Sequence, residues 1–170
     1  MMIAVCGPNE PSDDELAMAE EVGARLALAG CTVVCGGRGG VMEAVCRGAR
    51  QAGGTTIGIL PGYDADEANE WVLHPIPTGL GHARNAIVVA SGDAVIALGG
   101  GFGTLSEIGL ALKMGKRVIN LSSWELDPTR VARFGENAAY LPAATAEQAV
   151  AMALSAAQIN LEQGSSTEHG

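Results

Sequence analysis

Basic charge is scarce in this 170-residue chain: 10 Lys and Arg stand against 19 Asp and Glu, for a net charge of −9. Non-specific binding to nucleic-acid phosphates or anionic lipid depends on clustered basic residues, so neither is expected as a partner. Any phosphate ligand must then be small and held locally, by backbone N–H groups or a few arginines. No apolar run approaches the ~18 residues of a membrane span. Met1-Met2 leads straight into Ile3–Cys6 with no basic flank, and Pro8 and Pro11 follow at once. No secretory leader is read, and a cytoplasmic location is expected. The four cysteines (Cys6, Cys31, Cys35, Cys46) form no CxxC pair and are joined by only three histidines. Reduced, buried thiols are expected, and no metal site. Two nucleotide signatures are missing as well. The nearest G-x-G-x-x-G window, from Gly101, ends in Ser106. The P-loop pattern fails because Gly115-Lys116 is followed by Arg117 and position 110 is leucine. Both absences argue against a nicotinamide oxidoreductase and a P-loop NTPase.

What is present is apolar: 48% of residues are hydrophobic and only 17% charged, in a length that suits one globular domain. The 24 glycines fall in short runs between apolar segments, where ligand-cradling loops belong. Short apolar strands are read at Ile3–Cys6, Thr32–Cys35, Thr55–Leu60, Ala94–Leu98 and Arg117–Leu121, with a further one at Trp71–Leu73. Helices alternate with them. One starts at a Ser12/Glu15 capping box, one follows Gly36–Gly40, one covers Gly81–Ser91 and one opens at Thr104. The last is N-capped by Thr145 and runs towards Gln158. Such alternation predicts a doubly wound, Rossmann-like α/β fold with a mostly parallel sheet and helices on both faces. The domain is set at residues 1–161, and the polar tail 162–170 is expected to be disordered. Ligands in such folds bind beyond the carboxyl ends of the strands, where both glycine loops lie.

The strongest signal is Leu98-Gly-Gly-Gly-Phe-Gly-Thr-Leu-Ser-Glu107. A buried strand ends, the backbone turns without Cβ obstruction, and a helix N-terminus follows. Free N–H groups near Gly100, Gly101, Phe102, Gly103 and Thr104, reinforced by the helix dipole, suit a phosphate. Thr104-x-x-Glu107 is also a capping-box pattern, in which Glu107 would fold back onto the Thr104 backbone.

Together with Arg84-Asn85 and Asp93–Leu98, this block resembles the LOG-type superfamily, once mislabelled lysine decarboxylase. That superfamily includes the cytokinin-activating phosphoribohydrolases, and molybdenum cofactor carrier proteins are similar. Gly36-Gly37-Arg38-Gly39-Gly40-Val41-Met42 resembles its first glycine loop, and the matches cover roughly residues 3–120. The resemblance implies a small phosphorylated ligand, nucleotide or pterin-like, held by Gly36, Gly37, Arg38, Gly39 and Gly100–Thr104. It implies cleavage of the N-glycosidic bond of a nucleoside 5′-monophosphate, giving base and ribose 5-phosphate. Glu107 would then stabilise an oxocarbenium-like state or activate water, and Arg84 would hold the phosphate or assist the leaving base. No cofactor is required for that chemistry. The alternative implied is a non-catalytic carrier or sensor, with the molybdenum cofactor or a nucleotide as cargo. Three departures draw the chain towards the carrier-like branch: Gly99 for the family's proline, Asn85 for lysine and Glu43 for glycine. A homo-oligomer, dimer or tetramer, is also implied, and the Ala86–Ala90 run offers a smooth face for it.

Other residues have plainer expectations. Glu43 and Arg47, four apart on a helix, read as a surface pair, and Cys6 and Cys35 as structural thiols. Trp71 and Trp124 read as packing groups, and His82 as a solvated or capping residue.

Overall fold

The computed structural model of the chain describes residues 1–134 and 138–166. Seven strands form one sheet: β1 (Met2–Cys6), β2 (Thr32–Cys35), β3 (Thr55–Leu60), β4 (His74–Pro77), β5 (Ala94–Leu98), β6 (Arg117–Leu121) and β7 (Ala139–Ala143). Their spatial order is β4-β3-β2-β1-β5-β6-β7, and every neighbouring pair is parallel. The helices are α1 (Asp13–Leu28), α2 (Val41–Gln51), α3 (Asn85–Ser91), α4 (Phe102–Lys113), α5 (Pro128–Phe134) and α6 (Ala146–Ser166). This is the single α/β Rossmann-like domain that the alternating pattern predicts. The chain winds one way from β1 to β4, returns to β5 on the other side of β1, and continues outwards. The reversal places a crevice between the carboxyl ends of β1 and β5.

The central strands β1 and β5 are apolar throughout because both their faces are covered. Ile3 and Val5 of β1, with Ala94, Ile96 and Leu98 of β5, pack beneath α1, α2 and α6. Ala4 and Cys6, with Val95 and Ala97, pack on the opposite side beneath α3 and α4. All five β5 residues are buried. Helix α1 carries the expected capping box, with Ser12 and Glu15 bonding each other's backbone N–H. The Thr145 hydroxyl caps α6 by accepting from the Gln148 N–H (3.1 Å). All four cysteines are buried and free. Among the described residues, no helix is long and apolar enough to cross a membrane.

Four elements differ from the sequence reading. The fourth strand lies at His74–Pro77, not Trp71–Leu73. Backbone groups of that earlier segment are taken by a side chain: the Thr56 hydroxyl donates to Trp71 O and accepts from Leu73 N–H (2.7 and 2.8 Å). Proline is tolerated in β4 because it is an edge strand. Neither α5 nor β7 is apparent from the pattern: α5 is seven residues long, and β7 is the other edge and carries Pro142. Finally, α6 continues past Gln158 to Ser166 without a proline to stop it, so 162–166 of the polar tail are helical and 167–170 lie outside the described residues.

α1 and α2 meet backbone to backbone. A Cβ on Gly23 would lie 2.0 Å from Val45 O, and one on Gly48 would lie 1.9 Å from Glu20 O. Arg47 then bridges the pair, donating from Nη2 to Glu20 at 2.9 Å. Gly48→Ala must push two rigid helices apart and is expected to cost about 1–3 kcal/mol. Urea unfolding checks this, and a variant within experimental error of the native chain would refute it.

Candidate functional site

At the end of β5 the chain turns through Gly99, whose φ of +64° is open to glycine and closed to proline. The loop therefore leaves the strand along a path that the family's proline cannot follow. A Cβ on Gly99 would also lie 2.4 Å from the Glu15 carboxyl, so the β1–α1 segment closes on this turn. Trp124 fixes the next residues, its indole Nε1 donating to Gly101 O at 3.2 Å. The Phe102 ring rests on Trp124, 5.9 Å between centroids, and is 82% exposed. Gly101 is the N-cap of α4, and the first helical bond runs from Leu105 N–H to Gly101 O (3.0 Å). The N–H groups of residues 102–104 lie ahead of it at the positive end of the helix dipole.

Because α4 begins at Phe102, Thr104 lies inside the helix and is not its cap. The Thr104/Glu107 capping box does not form. Both side chains are instead buried and turned to the crevice: Thr104 is 2% exposed with no partner for its hydroxyl, and Glu107 is 6% exposed. Arg84 reaches the same floor from a 3-10 turn, Gly81–Arg84, that leads into α3. It is 9% exposed, and its Nε and Nη1 have no hydrogen-bond partner. Burial pushes the Glu107 carboxyl up to about 7, opposed in part by the Arg84 charge and by a hydrogen bond with the Cys6 thiol. Burial, then the Glu107 charge, pushes the Cys6 thiol well above its ordinary range. Cys6 is thus a poor nucleophile, in keeping with a structural role.

Thr104, Glu107 and Arg84 line one cleft of about 590 Å³, within the range of small-ligand sites. Of the residues read from the sequence, Arg84, Glu107, Arg38, Gly100, Gly101, Gly103 and Thr104 line it. Phe102, Gly36, Gly37 and Gly39 lie outside its lining. The cleft also takes Gly7–Glu10 after β1, which sequence reasoning missed, and Met42 and Asn85, which it named only within the motifs of the resemblance. The first group was discoverable from the fold rule alone, since Cys6-Gly7-Pro8 ends a central strand. Asn85 links two elements of the site, its Nδ2 donating to Ser106 Oγ (3.3 Å), which donates to Gly103 O (2.7 Å). His82, at the rim, also faces the cleft. Glu43 points elsewhere, towards Arg47 at 3.7 Å, as the surface-pair reading expects. Among the described residues, no cluster of His, Cys, Asp and Glu could hold a metal ion.

The cleft combines an anion-binding helix end, a buried guanidinium and a carboxyl poised near neutrality. Such a set can hold a phosphate monoester and exchange a proton beside it.

Comparison with known proteins gives the setting. The SLOG cluster4 family matches residues 1–151. A cytokinin riboside 5′-monophosphate phosphoribohydrolase of Mycobacterium tuberculosis is 36% identical over 113 residues, 61% of this chain and 57% of that protein, so the match spans little more than half of that relative's length. The molybdenum cofactor binding protein of Rippkaea orientalis superposes with a TM-score of 0.82 at 41% identity, covering 91% of this chain and 95% of that one. The molybdenum cofactor carrier protein of Chlamydomonas reinhardtii gives a TM-score of 0.80 at 36% identity, covering 91% and 96%. Relatives of both kinds named in the resemblance are therefore found.

The burial of Glu107 has a thermodynamic signature. Its carboxyl titrates near 7 in the folded chain against an ordinary 4.5 in the unfolded one. Between those values the unfolded state has lost its proton while the folded state keeps it. Stability therefore falls as pH rises through that window and levels off above it. Glu107→Gln removes the effect, so its stability relative to the native chain should rise by up to about 3 kcal/mol between pH 4 and pH 8. Urea titrations at the two pH values read this, and an unchanged difference would mean that the carboxyl is not desolvated.

Proposed function

The chain belongs to the SLOG cluster4 family, and from that premise we propose that its cleft binds a small ligand joining a phosphate monoester to a flat heterocycle. The carrying observation is the set of polar atoms left without partners: Thr104 Oγ1 and Arg84 Nε and Nη1, all buried and all on one cleft at a helix N-terminus. A buried donor without a partner costs about 1–3 kcal/mol, which an anionic ligand would recover. The phosphate lies on the first turn of α4, against the 102–104 amides and the Thr104 hydroxyl. Arg84 lies deeper, beside the sugar or its equivalent.

For a nucleoside 5′-monophosphate, the Glu107 carboxyl supports hydrolysis of the N-glycosidic bond. The C1′–N bond breaks with its electron pair going to the base, which takes a proton from the acid form of Glu107. Water adds to C1′ and returns a proton to the carboxylate, so the products are free base and ribose 5-phosphate. A carboxyl near 7 is populated in both forms at neutral pH, as an acid–base group requires. A second reading, a carrier without turnover, is favoured by the near full-length likeness to the Rippkaea protein and by the Gly99 turn. The phosphate of the molybdenum cofactor, as cargo, would use the same amides, Thr104 and Arg84. In either case the reading includes a cytoplasmic homo-oligomer, with Ile87 and Ala90 on the exposed side of α3 as its apolar contact.

Incubation with a panel of nucleoside 5′-monophosphates, chromatography for released base and calorimetry for binding separate these readings. Base release that is lost in Glu107→Gln supports the hydrolase. Binding of nucleotide or pterin phosphate without release supports the carrier. No binding of any phosphorylated ligand overturns the assignment of the cleft. Thr104→Ala should weaken binding by about tenfold to a hundredfold, the worth of one hydrogen bond to a charged group.

A further inference from the structure

The first glycine loop resembles a phosphate cradle in sequence, yet Gly36, Gly37 and Gly39 do not line the cleft. Gly36 makes room for something else. A Cβ at Gly36 would lie 2.1 Å from Arg84 Nη1, 2.6 Å from Nη2 and 2.6 Å from Met42 Sδ. Its φ is not positive, so the backbone does not demand glycine there. The demand comes from the space where a side chain would begin, which the tip of the guanidinium occupies with Met42 Sδ beside it.

The loop is held rigid from behind. Asn69 Nδ2 donates to Gly37 O at 3.2 Å and to Arg38 O at 2.8 Å, and the Asn69 backbone N–H donates to Gly37 O at 2.9 Å. Gly37 N–H in turn donates to the Cys35 thiol at 3.3 Å. Asn69 belongs to the acidic segment after β3, which contributes no catalytic residue. It nevertheless holds two successive carbonyls of the loop on which Arg84 rests.

We propose that the first glycine loop is an arginine seat: Gly36, braced through Asn69, is a positioning residue that holds the Arg84 guanidinium against the cleft floor. Without the seat, a long side chain with unpaired donors would swing towards water, as arginines ordinarily do. The seat makes Arg84 available to a ligand at little entropic cost, because the side chain is already ordered. The proposal depends on the ligand-binding reading only for its purpose. The seat is present in the free protein and is tested there.

The test uses NMR of the ligand-free chain. Arg84 Nε–H is followed by ¹⁵N spectroscopy, and the Glu107 carboxyl is followed by ¹³C shifts through a pH titration. In the native protein, Arg84 Nε–H should exchange slowly, because it is buried. Gly36→Ala is expected to fold, since the atoms it displaces belong to the flexible side chains of Arg84 and Met42 and not to backbone. It should lose that slow exchange and raise the Glu107 midpoint by about one pH unit, as loss of a neighbouring positive charge does. Arg84→Ala should raise it equally, and adding Gly36→Ala to Arg84→Ala should raise it no further. Cys6, the other group that meets the Glu107 carboxyl, is unchanged in every variant. Asn69→Ala, which adds no atom beside the arginine, should give a smaller change in the same direction.

Native exchange and a native midpoint in Gly36→Ala would overturn the seat, as would effects that simply add in the double variant. Should Gly36→Ala not fold, Asn69→Ala carries the test, and native behaviour in it overturns the proposal. Calorimetry with AMP and GMP runs alongside. If the native chain binds neither, the cleft assignment fails while the NMR result still decides the seat. If it binds either, Gly36→Ala should weaken that binding about as much as Arg84→Ala.

Discussion

Desolvation of the Glu107 carboxyl beside the Arg84 guanidinium governs the arrangement around it. Neither group would choose a site so far from water, and their mutual attraction offsets only part of the cost, since the carboxyl still titrates near 7. Such a pair persists only if the surroundings are too well packed to let either escape. The central strands supply that packing: β1 and β5 are covered on both faces beneath the cleft floor. The fold tolerates a strained polar seam because apolar burial elsewhere is extensive. The cleft lies where the sheet reverses its winding.

Glycine serves two purposes in the chain. At Gly99 it supplies a left-handed turn that carries the backbone off β5 towards the start of α4. At three other positions it clears space for a neighbour, the facing helix at Gly23 and Gly48 and a guanidinium at Gly36. The two loops that look alike in sequence are thereby unlike in role. The second presents its backbone to the cleft, whereas the first presents its backbone to a side chain that faces the cleft.

Much of this was legible before the structure. Continuous apolar runs placed β2, β3, β5 and β6 at their observed bounds, because a strand buried on both faces leaves an unbroken signature. The edges carried no such signature: the prolines of β4 concealed it, and β7 was too mixed to separate from loop. Glu107 and Arg84, both read from the sequence, line the same cleft. The direction of the Glu107 side chain was not readable, since Thr-x-x-Glu describes both a capping box and an interior pair. The choice depends on a three-residue shift of the helix N-cap, from Thr104 to Gly101. That shift is set by Gly101 and by Trp124, a contact 23 residues away in sequence. The role of Gly36 was equally hidden, because the residue that occupies its space lies on a different element.

The prolines of β4 carry a consequence for how copies of this protein can meet. Thr78 N–H donates to Leu60 O (3.2 Å), so the even-numbered residues of that strand face β3. Pro75 and Pro77 therefore turn their missing donors outwards. An incoming strand would find acceptors there but no N–H groups over that stretch, and no ladder could propagate. The border of the sheet is chemically blunted against recruitment of further strands. Growth of the sheet by further copies is thereby disfavoured at this border.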